Sequence, residues 1–186
     1  PGGLLNQDGE AHQRLRGTVQ RAFTPRAIAR WRPWVASVVE TLLDDFAARD
    51  RPADIVEGFT RPLPVSVVSR LMGLDHVDRE RIRHWADHAL SGGAHTGEQV
   101  AQAMLEFGAF AADLIAQRRK SPGDDLVSGL VSAGDSLGID ERQLVILVCG
   151  LVVAGHETTM TAPGNIVVYL LTDRREAWPG LAEDEE

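Results

Sequence analysis

One cysteine, Cys149, and one lysine, Lys120, stand in a chain of 186 residues. A lone cysteine forms no internal disulfide, so packing must hold the fold, and the chain suits a reducing compartment. Its neighbours Val148 and Leu151 mark Cys149 as a small buried hydrophobe. With lysine almost absent, arginine carries the positive charge, which reads as the coding bias of a GC-rich genome. The net charge of −8 is interrupted by no basic cluster. That excludes the positive stripe a nucleic-acid binder needs and disfavours an anionic membrane surface. Long apolar runs are lacking too: residues 144–154 make about half of the roughly 20 residues needed to cross a bilayer. No charged, apolar, small-residue leader stands at the N-terminus. The chain is therefore expected to be soluble and cytoplasmic, with neither nucleic acid nor membrane as partner. Strand signals are nearly absent, as are internal repeats and low-complexity tracts. There is no Gly-x-Gly-x-x-Gly, no P-loop and no Gly-x-Ser-x-Gly.

What remains is helical periodicity in a chain that is 44% hydrophobic, enough for one domain over residues 1–186. Residues 1–7 read as a loop. Asp8 caps a first helix with Leu15, Val19 and Phe23 on one face, ending near Thr24-Pro25. From Arg26 a second long helix carries Ile28, Trp31, Trp34, Val35, Val38, Leu42 and Phe46 inward, with Pro33 as a kink. Pro62 and Pro64 precede a short buried helix ending at Gly73. Asp75 or Asp78 caps a polar helix through about Leu90. Residues 91–97, with Gly92 and Gly93 adjacent, form the clearest flexible segment, between two helices that are able to move as a lid. Residues 98–120 are amphipathic, and Pro122-Gly123-Asp124-Asp125 opens a short helix to about Ala133. Asp140-Glu141 then opens a strongly apolar helix. The expected fold is mainly α, with little or no β-sheet, around that long central apolar helix.

Within it lies Ala154-Gly155-His156-Glu157-Thr158-Thr159. A carboxylate and a hydroxyl side by side in an apolar helix are costly unless satisfied or used. Thr158 can hydrogen-bond a carbonyl one turn back, and Gly155 leaves room beside the backbone. The string thus describes a grooved helix with a proton-handling pair. On spacing alone, a helix whose Glu157 and His156 simply reach solvent accounts for it equally well. Pro163, one turn after Thr159, removes the donor that would bond the Thr159 carbonyl, so the helix is expected to kink or end there.

This string resembles the oxygen-activating motif of bacterial cytochromes P-450, Ala/Gly-Gly-x-Asp/Glu-Thr-Thr/Ser. The following Gly164-Asn165-Ile166-Val167-Val168-Tyr169-Leu170-Leu171-Thr172 is also similar to the family. A second match is residues 8–16 followed by Ala22-Phe23-Thr24-Pro25, which look like the family's haem-edge helix. The resemblance implies that Glu157 is the acid and Thr158 the alcohol that pass protons to bound dioxygen. It implies that Ala154 and Gly155 border the haem, and that His12 and Arg16, four apart on one face, hold its propionates.

The family's Glu-x-x-Arg helix and cysteine loop do not occur in these residues, and Cys149 is not in a Phe-x-x-Gly-x-x-x-Cys-x-Gly setting. The chain alone is accordingly expected to bind no cofactor and to be no competent monooxygenase. Three readings follow. One is a haem-free relative from a natural-product pathway, whose apolar pocket uses Glu157, His156 and Thr158 to cyclise or isomerise a small hydrophobic substrate. Another is a fragment of a haem monooxygenase fed by a ferredoxin. The third is a non-catalytic partner of another biosynthetic enzyme. In each, a second copy or another protein is expected to cover the exposed half.

Other sites are weak. No metal site is expected: His84 and His88 stand four apart, but no third ligand accompanies them, and Met160 fills the place where His156-Glu157 would need a second zinc-protease histidine. Trp31, Trp34 and Trp85 read as packing.

Overall fold

Helix-stopping and helix-starting residues alternate along the chain and divide it into nine α-helices among the described residues. They are α1 (Gly9–Gln20), α2 (Pro25–Ala29), α3 (Arg32–Ala47), α4 (Pro62–Met72), α5 (Arg79–Ala89), α6 (Gly97–Lys120), α7 (Leu126–Leu137), α8 (Glu141–Thr172) and α9 (Trp178–Leu181). The computed structural model describes residues 2–77, 79–90 and 92–181. No strand occurs among them, in agreement with the mainly α expectation. The cap expected at Asp78 and the start of the flexible segment at Ser91 lie outside the described residues.

Two expectations are corrected. The long second helix is two helices, broken at Arg30 and Trp31. The Thr24 hydroxyl accepts from the Ala27 N–H at 3.3 Å to cap α2, while Pro33 lies in the first turn of α3. There its missing N–H is one of the helix-end donors that go unpaired anyway, so Pro33 starts a helix instead of kinking one. None of α3 is buried, so the apolar periodicity from Ile28 to Phe46 marks a half-covered face and not a core helix. Pro163, for its part, does not end α8, which runs on to Thr172. One ladder bond is lost, but Thr159 is exposed, so the carbonyl it frees lies on a side open to water.

α8 begins where Asp140 and Gln143 cap reciprocally. The Asp140 carboxylate accepts from the Gln143 N–H at 2.8 Å, and the Gln143 amide oxygen accepts from the Asp140 N–H at 3.2 Å. Helices α4, α5, α6 and α7 pack around it. Leu144, Leu147, Val148 and Val152 of α8 meet Val68, Trp85, Phe107, Ile115 and Leu130 in one core cluster. Trp85 is fully buried and stacks on Phe107 with ring centroids 4.7 Å apart. Each such side chain contributes roughly 1.5–3 kcal/mol by leaving water.

A polar clasp ties three helix ends. Arg118 of α6 donates to Asp125 at 2.6 Å and to the Gly73 carbonyl at 2.9 Å, and both charged side chains are largely buried. Asp125 also caps α7 through the Ser128 N–H at 2.8 Å. Gly73 ends α4 at φ +70, where a Cβ would stand 2.5 Å from Asp125 Oδ2, so glycine is required twice over. Beside the clasp, Arg119 bridges Asp135 of α7 and Glu141 of α8.

Beyond Pro163 the helix changes company. Ile166, Val168, Tyr169 and Leu171 are exposed, as are Trp178 and Leu181. By length and apolar composition α8 is able to cross a bilayer, which corrects the reading that stopped its apolar run at residue 154. Its first half, however, is the packed axis of a helical layer.

Candidate active site on the central helix

Successive residues of a helix point about 100° apart, so the six residues 154–159 cannot share one face. Ala154 and Thr158, one turn apart, do share one, and both are exposed. The Thr158 hydroxyl donates to the Ala154 carbonyl at 2.8 Å, which orients its lone pairs away from the helix. Gly155 faces α4: a Cβ there would stand 2.8 Å from Val68 Cγ2. The room left by this glycine is taken by the neighbouring helix, and close packing of α4 on α8 is sufficient reason for it.

His156 points into the layer and is 1% exposed. Its Nε2 lies 3.7 Å from Asp87 Oδ1 of α5, too long for a hydrogen bond, and neither ring nitrogen has a partner. Glu157 is half-buried, and its carboxylate lies with those of Asp87 and the His156 ring within a 4.8 Å cluster. Burial lowers the His156 pKa below its ordinary value of 6.5; Asp87 and Glu157 oppose this, and the Arg61 charge adds to it. The structure therefore sorts the motif in two. Thr158 goes with Ala154 on the open face, whereas His156 and Glu157 go with Asp87 between helices.

His12 and Arg16 both lie on α1, as expected, His12 half-buried and Arg16 exposed. Neither side chain is engaged in an ion pair or side-chain hydrogen bond among the described residues, so both remain available to an anion. α1 packs against α7. Cys149 is half-buried and its thiol is pushed up to about 12 by burial, which makes it a poor source of thiolate. The cleft of ≈ 510 Å³ beside Trp31, Trp34 and Arg70 has no α8 residue in its lining.

Sequence reasoning missed Asp87 and His95. Asp87 reads as one of several charges on a polar helix, and only the packing of α5 on α8 brings it to His156. His95 stacks on His88 with centroids 3.8 Å apart, and His88 in turn lies 4.1 Å from His84. The pair His84 and His88 thus has an imidazole neighbour that spacing did not reveal, and His88 is buried. His88 Nδ1 lies 2.7 Å from the His84 carbonyl and donates to it, leaving the Nε2 lone pair.

Comparison with known proteins places these residues in a family context. No family model matches the chain. Nocardicin C N-oxygenase of Nocardia uniformis subsp. tsuyamanensis is 38% identical over 185 residues, covering 100% of this chain and 46% of that protein. Mycinamicin IV hydroxylase/epoxidase of Micromonospora griseorubida is 39% identical over 193 residues, covering 98% and 49%. Among solved structures, the putative thioether synthase SgvP of griseoviridin tailoring superposes with a TM-score of 0.89 at 32% identity, over 97% of this chain and 46% of that one. The LnmZ cytochrome P-450 hydroxylase of leinamycin biosynthesis gives 0.88 at 36%, over 99% and 51%. The chain spans about half the length of the curated relatives it matches.

Proposed function

Because the chain belongs to the cytochrome P-450 family, and several of its relatives are natural-product enzymes, we propose that it is the oxygen-side half of a haem monooxygenase that oxidises a small organic molecule. The observation that carries this reading is the Thr158 hydroxyl, fixed by the Ala154 carbonyl at 2.8 Å on the open face of α8. A small side chain and an oriented hydroxyl one turn apart leave a shallow apolar step with a single polar group, which fits the rim of a flat macrocycle. His12 and Arg16, with side chains free of ion pairs, fit its propionates.

Haem, when bound, supplies dioxygen activation and the electron sink. The chain's own part is proton handling and exclusion of water. The Thr158 hydroxyl, whose hydrogen already engages Ala154, accepts a hydrogen bond through its outward lone pairs and so holds a water or hydroxyl at the open face. Glu157, one position earlier and half-buried, exchanges protons with solvent beside Asp87. Apolar neighbours Leu151, Val152 and Val153 keep the helix dry behind them. Electrons come from a ferredoxin-type donor, and the iron ligand is not Cys149.

The haem-free reading draws on the closeness of Glu157 and His156, which is able to serve as an acid–base pair, but Thr158 does not join them. The two are separated by titrating the purified chain with haem, with and without carbon monoxide. Saturable Soret changes in the chain alone, contrary to the sequence-based expectation of no bound cofactor and weakened about ten-fold in Arg16→Ala and His12→Ala by loss of charge-assisted contacts, are the expected result. No Soret change, together with haem-independent turnover of a pathway intermediate that Glu157→Gln abolishes, selects cyclisation or isomerisation instead. A stable complex with a second biosynthetic enzyme and no turnover selects the partner reading.

A further inference from the structure

Buried histidines in helical layers are ordinarily satisfied by a carbonyl or a carboxylate at hydrogen-bond distance. His156 is not: its side chain is 2% exposed, both ring nitrogens lack a partner, and its nearest carboxylate oxygen is 3.7 Å away. Two carboxylates converge on it from different places. Asp87 comes from α5 and is half exposed, giving the cluster an edge open to solvent; Glu157 is the next residue of α8. One oxygen of each and one ring nitrogen lie within 4.8 Å of one another. The charges nearby leave the cluster short of positive charge. Arg83 approaches Asp87 only at 4.0 Å and is shared with Glu80, and Arg61 is paired with Glu57.

We infer that Asp87, His156 and Glu157 form a site for one divalent transition cation of borderline softness, with solvent completing the coordination from the Asp87 side. The donor set of one imidazole nitrogen and two carboxylate oxygens suits zinc, cobalt or manganese, and excludes the soft monovalent ions that want sulfur. A dication offsets both carboxylates and occupies the otherwise unpartnered lone pair of a neutral ring. Burial favours that neutral form, so a metal competes with few protons at pH 7. Ligand separations of this size are closed to bonding distance by side-chain rotation of the exposed Asp87 and the half-buried Glu157. Because the ligands belong to two helices, an occupied site staples α5 to α8. It also withholds Glu157 from proton transfer, so occupancy opposes the oxygen chemistry proposed above, although the site itself does not depend on that reading. The histidine cluster of His84, His88 and His95 is the competing location: His88 and His95 lie face to face, which directs their nitrogens sideways, while His84 is tilted 44° to His88, and no carboxylate joins them in a cluster of ligand atoms among the described residues.

The test is a Co²⁺ titration of the chelator-stripped 186-residue chain at pH 7.5, read by visible d–d absorption and repeated with Zn²⁺ in competition. One equivalent is expected to bind, with paramagnetic broadening centred on α5 and the 152–160 stretch of α8. Asp87→Asn and Glu157→Gln are expected to weaken binding on the order of 10–100-fold or more, since even supporting partners of metal ligands carry that much. His84→Gln is expected to leave it unchanged. Asp87→Asn changes an exposed residue and keeps the fold, so the outcome does not hinge on the riskier His156→Asn. Absence of saturable binding overturns the site, and so does binding that survives Asp87→Asn and Glu157→Gln but disappears in His84→Gln or His95→Gln. Haem titration reports on the oxygen reading separately, so failure of one leaves the other standing.

Discussion

The two halves of α8 have much the same apolar character and opposite surroundings. Before Thr158, Leu144, Leu147, Val148 and Val152 are buried against four helices; after Pro163, Ile166, Val168, Tyr169 and Leu171 face outward. Apolarity therefore says that a surface wants cover, and only the neighbours say whether it has it. The relatives are about twice as long as this chain. The open half is an apolar face left without cover among the described residues.

That contrast is open to attack by substitution. Val148→Asp places an unpaired charge in the closed half and is expected to cost on the order of 4–5 kcal/mol, seen as loss of the cooperative urea transition. Arg118→Ala, which strands buried Asp125 and the Gly73 carbonyl, is expected to cost about 3–5 kcal/mol in the same measurement. Gly155→Leu overpacks α8 on Val68 and should cost roughly 1–3 kcal/mol, with partial recovery in Val68→Ala if close approach is the reason for the glycine.

Acid is a subtler probe. The folded-state pKa of His156 lies below 6.5, so the unfolded chain takes up its proton first. Its contribution is then complete above pH 6.5 and is lost as the pH falls through and below that value. In chelator-containing buffer the urea midpoint should drop between pH 7.5 and 5.5, and His156→Gln should remove that part of the slope. The smallest change belongs to the open half. Ile166→Glu with Leu171→Glu should shift stability by no more than about 0.5 kcal/mol while abolishing self-association in sedimentation at micromolar concentration. A well-folded wild-type monomer at that concentration would argue against a face awaiting cover.

Helix starts were the most legible part of the sequence. Asp140 was read as the start of α8 and forms a reciprocal cap with Gln143, whereas the equally local cap of Thr96 with Gln99 was passed over because Thr96 falls in the segment read as flexible. The break at Arg30 was missed because periodicity continues across it: Trp31 and Trp34 keep helical spacing, and the backbone at Arg30 and Trp31 stays in the right-handed helical region. At the site, the bond from Thr158 to Ala154 was legible because it spans one turn. The carboxylate neighbour of His156 was not, since Asp87 lies far away in sequence and approaches it only when α5 docks on α8. Gly155 was read as room for a ligand because a sequence does not display Val68 on the other side.

The reciprocal cap at Asp140 has a consequence at a distance. It sets the rotational phase of a rigid rod, and the motif rides that rod 18 residues, or about 27 Å, further along. A single residue inserted after Gln143 would leave every side chain of the motif intact and turn them all by about 100°. Thr158 would sweep off the open face and His156 out of reach of Asp87. The chemistry is thus keyed by a turn of polar residues that touches none of it, much as the cut of a key is useless if the shoulder that stops it in the lock is moved.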